Sequence, residues 1–195
     1  MKEKELSHQE SFQVIQEMIE IAKNKMTDTG FHFLLWGVLV IAASITQYFM
    51  ISKGMAKDSD LVWIIMPVIG VPVALIYEYR RRKTEKAHSK SDKMYGYLWL
   101  GFGITLFLSI YISVSFSINP IAFILLLVGF ATFVSGAIYR FTPLIAGSFV
   151  FWLAAALCPH MESQNQLLIN ALAIFMGYII PGILLWRKYN KVNHV

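Results

Sequence analysis

Charge is scarce in this chain. Only 15% of its 195 residues are Asp, Glu, Lys or Arg, and 56% are hydrophobic. An ordinary soluble domain carries about 25% charged residues, so a free-standing soluble globule is excluded. Cysteine is nearly absent: Cys158 alone cannot build an intramolecular disulfide framework. The first 30 residues lack an early apolar run with a small-residue cleavage site, and they carry Glu3, Glu5, Glu10, Glu17, Glu20 and Asp28. No cleavable signal peptide is expected on that ground. Nor does Met1-Lys2 match a myristoylation start, or the closing Asn-His-Val a prenylation box.

What is present is a set of six long apolar stretches, separated by short charged segments. A bilayer core of about 30 Å needs about 20 apolar residues at ~1.5 Å rise each. The spans are expected near 31–51, 61–79, 95–115, 120–139, 143–158 and 167–186. The fifth is the shortest and is expected to extend to His160 or to lie with little tilt. Asn119-Pro120 and Thr142-Pro143 each have the form of a cap followed by a first-turn proline.

The positive charge is distributed very unevenly. Of 17 Lys and Arg residues, 15 fall before Gly30, from Arg80 to Lys93, at Arg140, or after Trp186. Lys53 and Lys57, the other two, share one short loop. Short loops rich in Lys and Arg stay cytoplasmic, so both termini are expected inside. Trp63 near an outer end, and Tyr77, Tyr79, Tyr139 and Trp186 at inner ends, suit interfacial belts. The net charge of +5 is therefore an inside-loop excess and not a nucleic-acid patch; no nucleic-acid partner is expected. Arg80, Arg81, Arg82 and Lys83 open the longest basic segment and are candidates for anionic headgroup contact, at ~1 kcal/mol per charge. A topology signal alone also accounts for them, and is the simpler reading.

The organisation expected is all-α: residues 1–30 as a cytoplasmic helix and linker, 31–186 as a six-helix transmembrane domain, 187–195 as a tail. A weak repeat is visible. Even spans end in Tyr79-Arg80, Tyr139-Arg140 and Trp186-Arg187, and Phe33-Leu34-Leu35-Trp36-Gly37 resembles Tyr97-Leu98-Trp99-Leu100-Gly101. This hints at three pseudo-repeated hairpins, although belts and the inside charge bias produce the same endings.

The N-terminal segment is the clearest non-membrane element. Ser7 and Glu10 fit a capping box. From residue 8 to 26, Phe12, Ile15, Met18, Ile19 and Ala22 lie on one apolar side, with Gln13, Gln16, Glu17 and Glu20 opposite. A membrane-surface helix usually has a basic polar side, whereas this one is acidic and amide-rich. The apolar side is therefore a candidate partner face, for the chain's own spans, a second copy or another protein. Thr27-Asp28-Thr29-Gly30 is expected to break the helix.

Glu10-Ser11-Phe12, Ile15, Met18-Ile19 and Ala22-Lys23-Asn24, followed by His32-Phe33-Leu34-Leu35-Trp36-Gly37, resemble a family of uncharacterised bacterial inner-membrane proteins. The likeness is best over this helix and the first span. It implies a multi-pass protein of the bacterial inner membrane and brings no activity with it.

Signs of catalysis are few. Ionisable groups at mid-bilayer depth are costly and functional by default, and none is expected there. Cys158, His160 and Glu162 cluster but match no zinc spacing, and His32 and His160 lie at opposite faces. No enzyme activity, metal or cofactor is expected. Pro67, Pro72 and Pro181 kink their spans, and together with Gln47 and Asn170 they are candidates to line a cavity near the second and sixth spans. The same amides serve equally as interhelical glue. Two function classes follow: a non-enzymatic membrane protein acting by protein contact at its cytoplasmic face, or a small uncoupled transporter, channel or lipid-binding protein using that cavity. Membrane lipids are partners in either case.

Overall fold

A computed structural model describes residues 8–82 and 90–190, with side chains from 30 to 80 and from 94 to 187. Among the described residues there are helices and turns and no strand. In order, they are α1 (His8–Ser52), α2 (Leu61–Arg82), α3 (Lys90–Ser115), α4 (Ile121–Ile138), α5 (Thr142–Leu157), α6 (Ser163–Ile174), a π turn (Phe175–Ile179) and α7 (Ile180–Asn190). Six segments are long and apolar enough to cross a membrane: Gly30–Ser52, Ala56–Arg80, Met94–Ser115, Ile121–Ile138, Thr142–His160 and Ser163–Arg187. Helix is what such sequences must form, because lipid offers no partner to an open backbone N–H or C=O. The fifth span does reach His160, through a 3-10 turn at Cys158–His160.

Three helices stop in the same way. After α1, Gly54 N–H donates to Ile51 O and Met55 N–H to Met50 O. After α3, Ser117 donates to Val114 O and Ile118 to Ser113 O; after α4, Arg140 donates to Ala137 O and Phe141 to Gly136 O. Each is a Schellman closure with a left-handed residue at its centre: Gly54 at φ 80, Ser117 at φ 56 and Arg140 at φ 50. The next helix can then start at once. Asn119 accepts from Ile121 N–H at 3.0 Å, as a cap should. At α5 the cap position is Phe141, one residue before the expected Thr142, because the Schellman closure already holds Phe141 extended and buried.

α4 and α5 are the most closely packed pair. α1 lies along α6, the π turn and α7, and α5 joins the two pairs. These four spans enclose the core, built on Phe33, Leu125, Leu144, Phe151, Cys158 and Leu185. α2 packs on α1, and α3 on α4. The consequence is visible in burial: 11% of the second span's apolar window and 6% of the third's lie inside the protein, against 50% of the sixth's. The tightest contact thus joins the second and third of the hairpins suggested by the sequence, and the hairpins are not packed alike.

Small residues set the close approaches. A Cβ on Gly147 would lie 2.8 Å from Gly177 O, so α5 and the π turn meet backbone to backbone. Gly136 admits Ile145 equally closely. The π turn precedes Pro181, whose missing N–H already interrupts the α-helical ladder. Pro67 and Pro72 lie inside α2, which stays helical across both.

The sequence suggested a break at residues 27–30. The backbone instead continues as helix from His8 through Gly30 to Ser52. Thr, Asp, Thr and Gly are weak helix formers, costing at most ~1 kcal/mol each, and a first span already helical on one side extends across them.

Candidate functional site

The cavity expected between the second and sixth spans is not the arrangement found. α1 stands between them, with α2 on one side and α6, the π turn and α7 on the other. Gln47 faces α2: its Nε2 donates to Asp60 Oδ1 at 2.7 Å, and its Oε1 accepts from Trp63 Nε1 at 2.6 Å. Asn170 faces α1 from the other side, where Nδ2 donates to Ser44 Oγ at 2.9 Å. Pro72 is exposed, Pro67 half-buried and Pro181 buried. These five residues do not converge, and the two amides act as glue between helices.

Two buried hydroxyls of α4 bond within their own helix. Thr132 Oγ1 donates to Val128 O at 2.7 Å, and Ser135 Oγ to Ala131 O at 2.7 Å. The hydroxyl of buried Tyr178 bonds to Thr132, and its ring lies 4.9 Å from Phe33 and 5.1 Å from Phe151. Trp152 sends its indole N–H towards Leu126 O on α4 at 3.4 Å. Among the described residues no group of three His, Cys, Asp or Glu could hold a metal. A shallow outward groove runs along α3 beside Trp99, Gly103 and Phe107. Its walls come from one helix, so it encloses nothing.

The face on which α2 and α7 end is the more distinctive surface. Sequence placed His32 and Glu78 at the ends of their spans; the fold pairs them, Nε2 to Oε2, at 3.8 Å. Phe31 stacks on Tyr77 beside them at 3.8 Å between centroids. Sequence reasoning missed this pairing, and it missed Tyr178. The two ionisable residues lie near the ends of their spans, but helix neighbours cannot be read from depth. The C-terminal ends of α2 and α7 and the turn between α4 and α5 present Arg80, Arg187 and Arg140, all exposed. Of the proposed headgroup residues, Arg80 is exposed; Arg81 and Arg82 belong to the last turn of α2, with side chains outside the described residues, as is all of Lys83.

Above that face stands the first part of α1. Phe12, Ile15, Met18, Ile19 and Ala22 belong to its helical backbone, and their side chains lie outside the described residues. The backbone alone shows that these positions share one unbroken helix with the first span.

Compared with protein-family models, curated proteins and solved structures, the chain matches none.

Proposed function

We propose that this chain is a multi-pass protein of the bacterial inner membrane, with both ends in the cytoplasm, that works without catalysis through protein contact at its cytoplasmic face. The observation that carries the reading is the unbroken α1. The sequence pattern gives the part of this helix that precedes the first span an apolar side, and the positive-charge bias puts that part in the cytoplasm. Half a helix circumference of apolar side chains in water is unfavourable, at ~25 cal/mol per Å², so a partner covers it. The interior supports the same reading, because the amides of Gln47 and Asn170 are spent on holding helices together.

Deleting residues 1–26 tests it. The remaining protein keeps all six spans and is expected to stay monodisperse in detergent. It is expected to lose a co-purifying partner or a self-association that the full chain shows. An assembly state identical to that of the full chain would refute the proposal.

A further inference from the structure

α2 is a lightly held helix. Among the described residues α1 is its one substantial packing partner. Ile64, Ile65, Val68, Ile69, Leu75 and Ile76 are exposed along its length, so moving it breaks little packing. Near its middle, Trp36 and Leu39 of α1 close on Gly70. Pro67 and Pro72 bracket that contact. Neither proline has an N–H to give, so the carbonyls of Trp63 and Val68 lose their helical partners four residues on. Two absent ladder bonds so close together make this the stretch where α2 bends most readily.

The two halves of α2 are fastened to α1 in different ways. At the Asp60 end the buried Gln47 amide makes two short hydrogen bonds, to Asp60 Oδ1 at 2.7 Å and from Trp63 Nε1 at 2.6 Å. At the Arg80 end Phe31 stacks on Tyr77, and the His32 ring stands nearly perpendicular to Tyr77 with centroids 5.9 Å apart. His32 Nε2 and Glu78 Oε2 are 3.8 Å apart, too far for a hydrogen bond. Their attraction therefore depends on a positive charge on the imidazole. Both side chains are 30% exposed, near the ends of their spans, so a proton can reach them.

We propose that the Arg80 half of α2 is a hinged strap, fastened to α1 when His32 is protonated and loosened when His32 is neutral. The hinge is the Pro67–Pro72 stretch, and the Asp60 half stays pinned by Gln47. Imidazole ordinarily takes up its proton near pH 6.5, where a carboxylate is already ionised. The strap therefore closes on acidification and loosens as the pH rises towards 8. The other titratable or charged side chains described at this end of the elements packed on α1 are Tyr77, Tyr79 and Arg80 on α2, Tyr178 in the π turn and Arg187 on α7. Lys25 and Asp28 on α1, Arg81 and Arg82 on α2, and Lys188 and Tyr189 on α7 have side chains outside the described residues. None of these is an imidazole, the side chain that ordinarily changes charge between pH 5 and 8.

The test uses the full chain with Cys158→Ser in phosphatidylcholine nanodiscs, carrying pairs of spin labels at exposed positions. Ile76→Cys with Leu184→Cys spans the Arg80 half of α2 and α7; Ile64→Cys with Leu168→Cys spans the Asp60 half and α6. By double electron–electron resonance the first pair is expected to sit mainly at one short distance at pH 5 and to gain a longer one towards pH 8. A partly exposed ion pair shifts an equilibrium by about fivefold at most, so the long-to-short ratio is expected to rise at least threefold. Its midpoint is expected within about one unit of pH 6.5. The second pair is expected to stay unchanged. His32→Gln and Glu78→Gln are each expected to show the pH 8 distances at both pH values. His32→Lys, charged throughout, is expected to show the pH 5 distances at both. First-pair distances that ignore pH overturn the proposal, as does a pH response that survives in His32→Gln or His32→Lys. Equal movement of the second pair overturns it in favour of α2 shifting as a whole. If His32→Gln does not fold, His32→Lys and Glu78→Gln decide, and a pH response kept by either overturns the strap.

Discussion

Replacing Ser44 and Asn170 by Ala, singly and together, probes what holds α1 to α6. The two side chains come from helices 126 residues apart and bond at 2.9 Å. Ser44 is 0% and Asn170 3% exposed, so neither regains a water partner when the other is cut. A buried interhelical bond in a membrane is worth about 0.6–1.7 kcal/mol by double-mutant cycle. Ser44→Ala removes little volume and is expected to cost about 1 kcal/mol, the bond itself. Asn170→Ala loses the same bond and leaves space against α1, and is expected to cost about 2–3 kcal/mol. The double variant should then cost about 1 kcal/mol less than the sum of the singles, because the bond is lost only once. Reversible unfolding in mixed micelles, followed by tryptophan fluorescence, reads all three. Additivity within ~0.3 kcal/mol would show that the two groups do not hold one another, and the glue assignment would fail.

Other perturbations have equally definite outcomes. Gly147→Ala is expected to destabilise by about 1–3 kcal/mol, since its Cβ would lie 2.8 Å from Gly177 O, a backbone atom with nowhere to move. Gly103→Ala, with nothing within 4 Å of the new methyl, should stay within about 0.5 kcal/mol of the parent; thermal unfolding of both variants that ranked them the other way would contradict the packing of α5. Arg140→Gly relieves a left-handed φ of 50° and is expected to raise the melting temperature by the equivalent of about 1 kcal/mol. Unchanged melting would mean that the α4–α5 turn carries no strain. In a Cys158→Ser background, Lys57→Cys is expected to react with an impermeant maleimide added to intact cells, and Arg140→Cys only after permeabilisation. The reverse pattern would invert the orientation read from the Lys and Arg distribution.

Some of the structure is legible in one sequence because it depends on local chemistry. Asn119-Pro120 starts a helix because an Asn side chain reaches the N–H two residues on. His160 ends the fifth span because the apolar run ends there. The N-terminal segment shows the limit of this. Thr27-Asp28-Thr29-Gly30 is a plausible stop by propensity, yet a helix propagates through it from an already ordered span. Gln47 and Asn170 show the limit for the candidate site. Both were recognisable as polar groups in apolar runs. Whether they lined one space or bonded to different neighbours depended on α1 lying between the second and sixth spans.

The sequence by itself determined the number of spans, their approximate ends and the uneven placement of positive charge. Bilayer thickness and the cost of burying charge act on each segment separately, so no knowledge of neighbours is needed. Only the tertiary structure decided that α4 and α5 pack most closely, that α2 and α3 lie at the margins, and that Glu78 finds His32. In lipid every apolar side chain is acceptable on any helix face, so hydrophobicity cannot choose neighbours. Close packing at residues such as Gly147 and Gly177, together with a few buried hydrogen bonds, makes that choice.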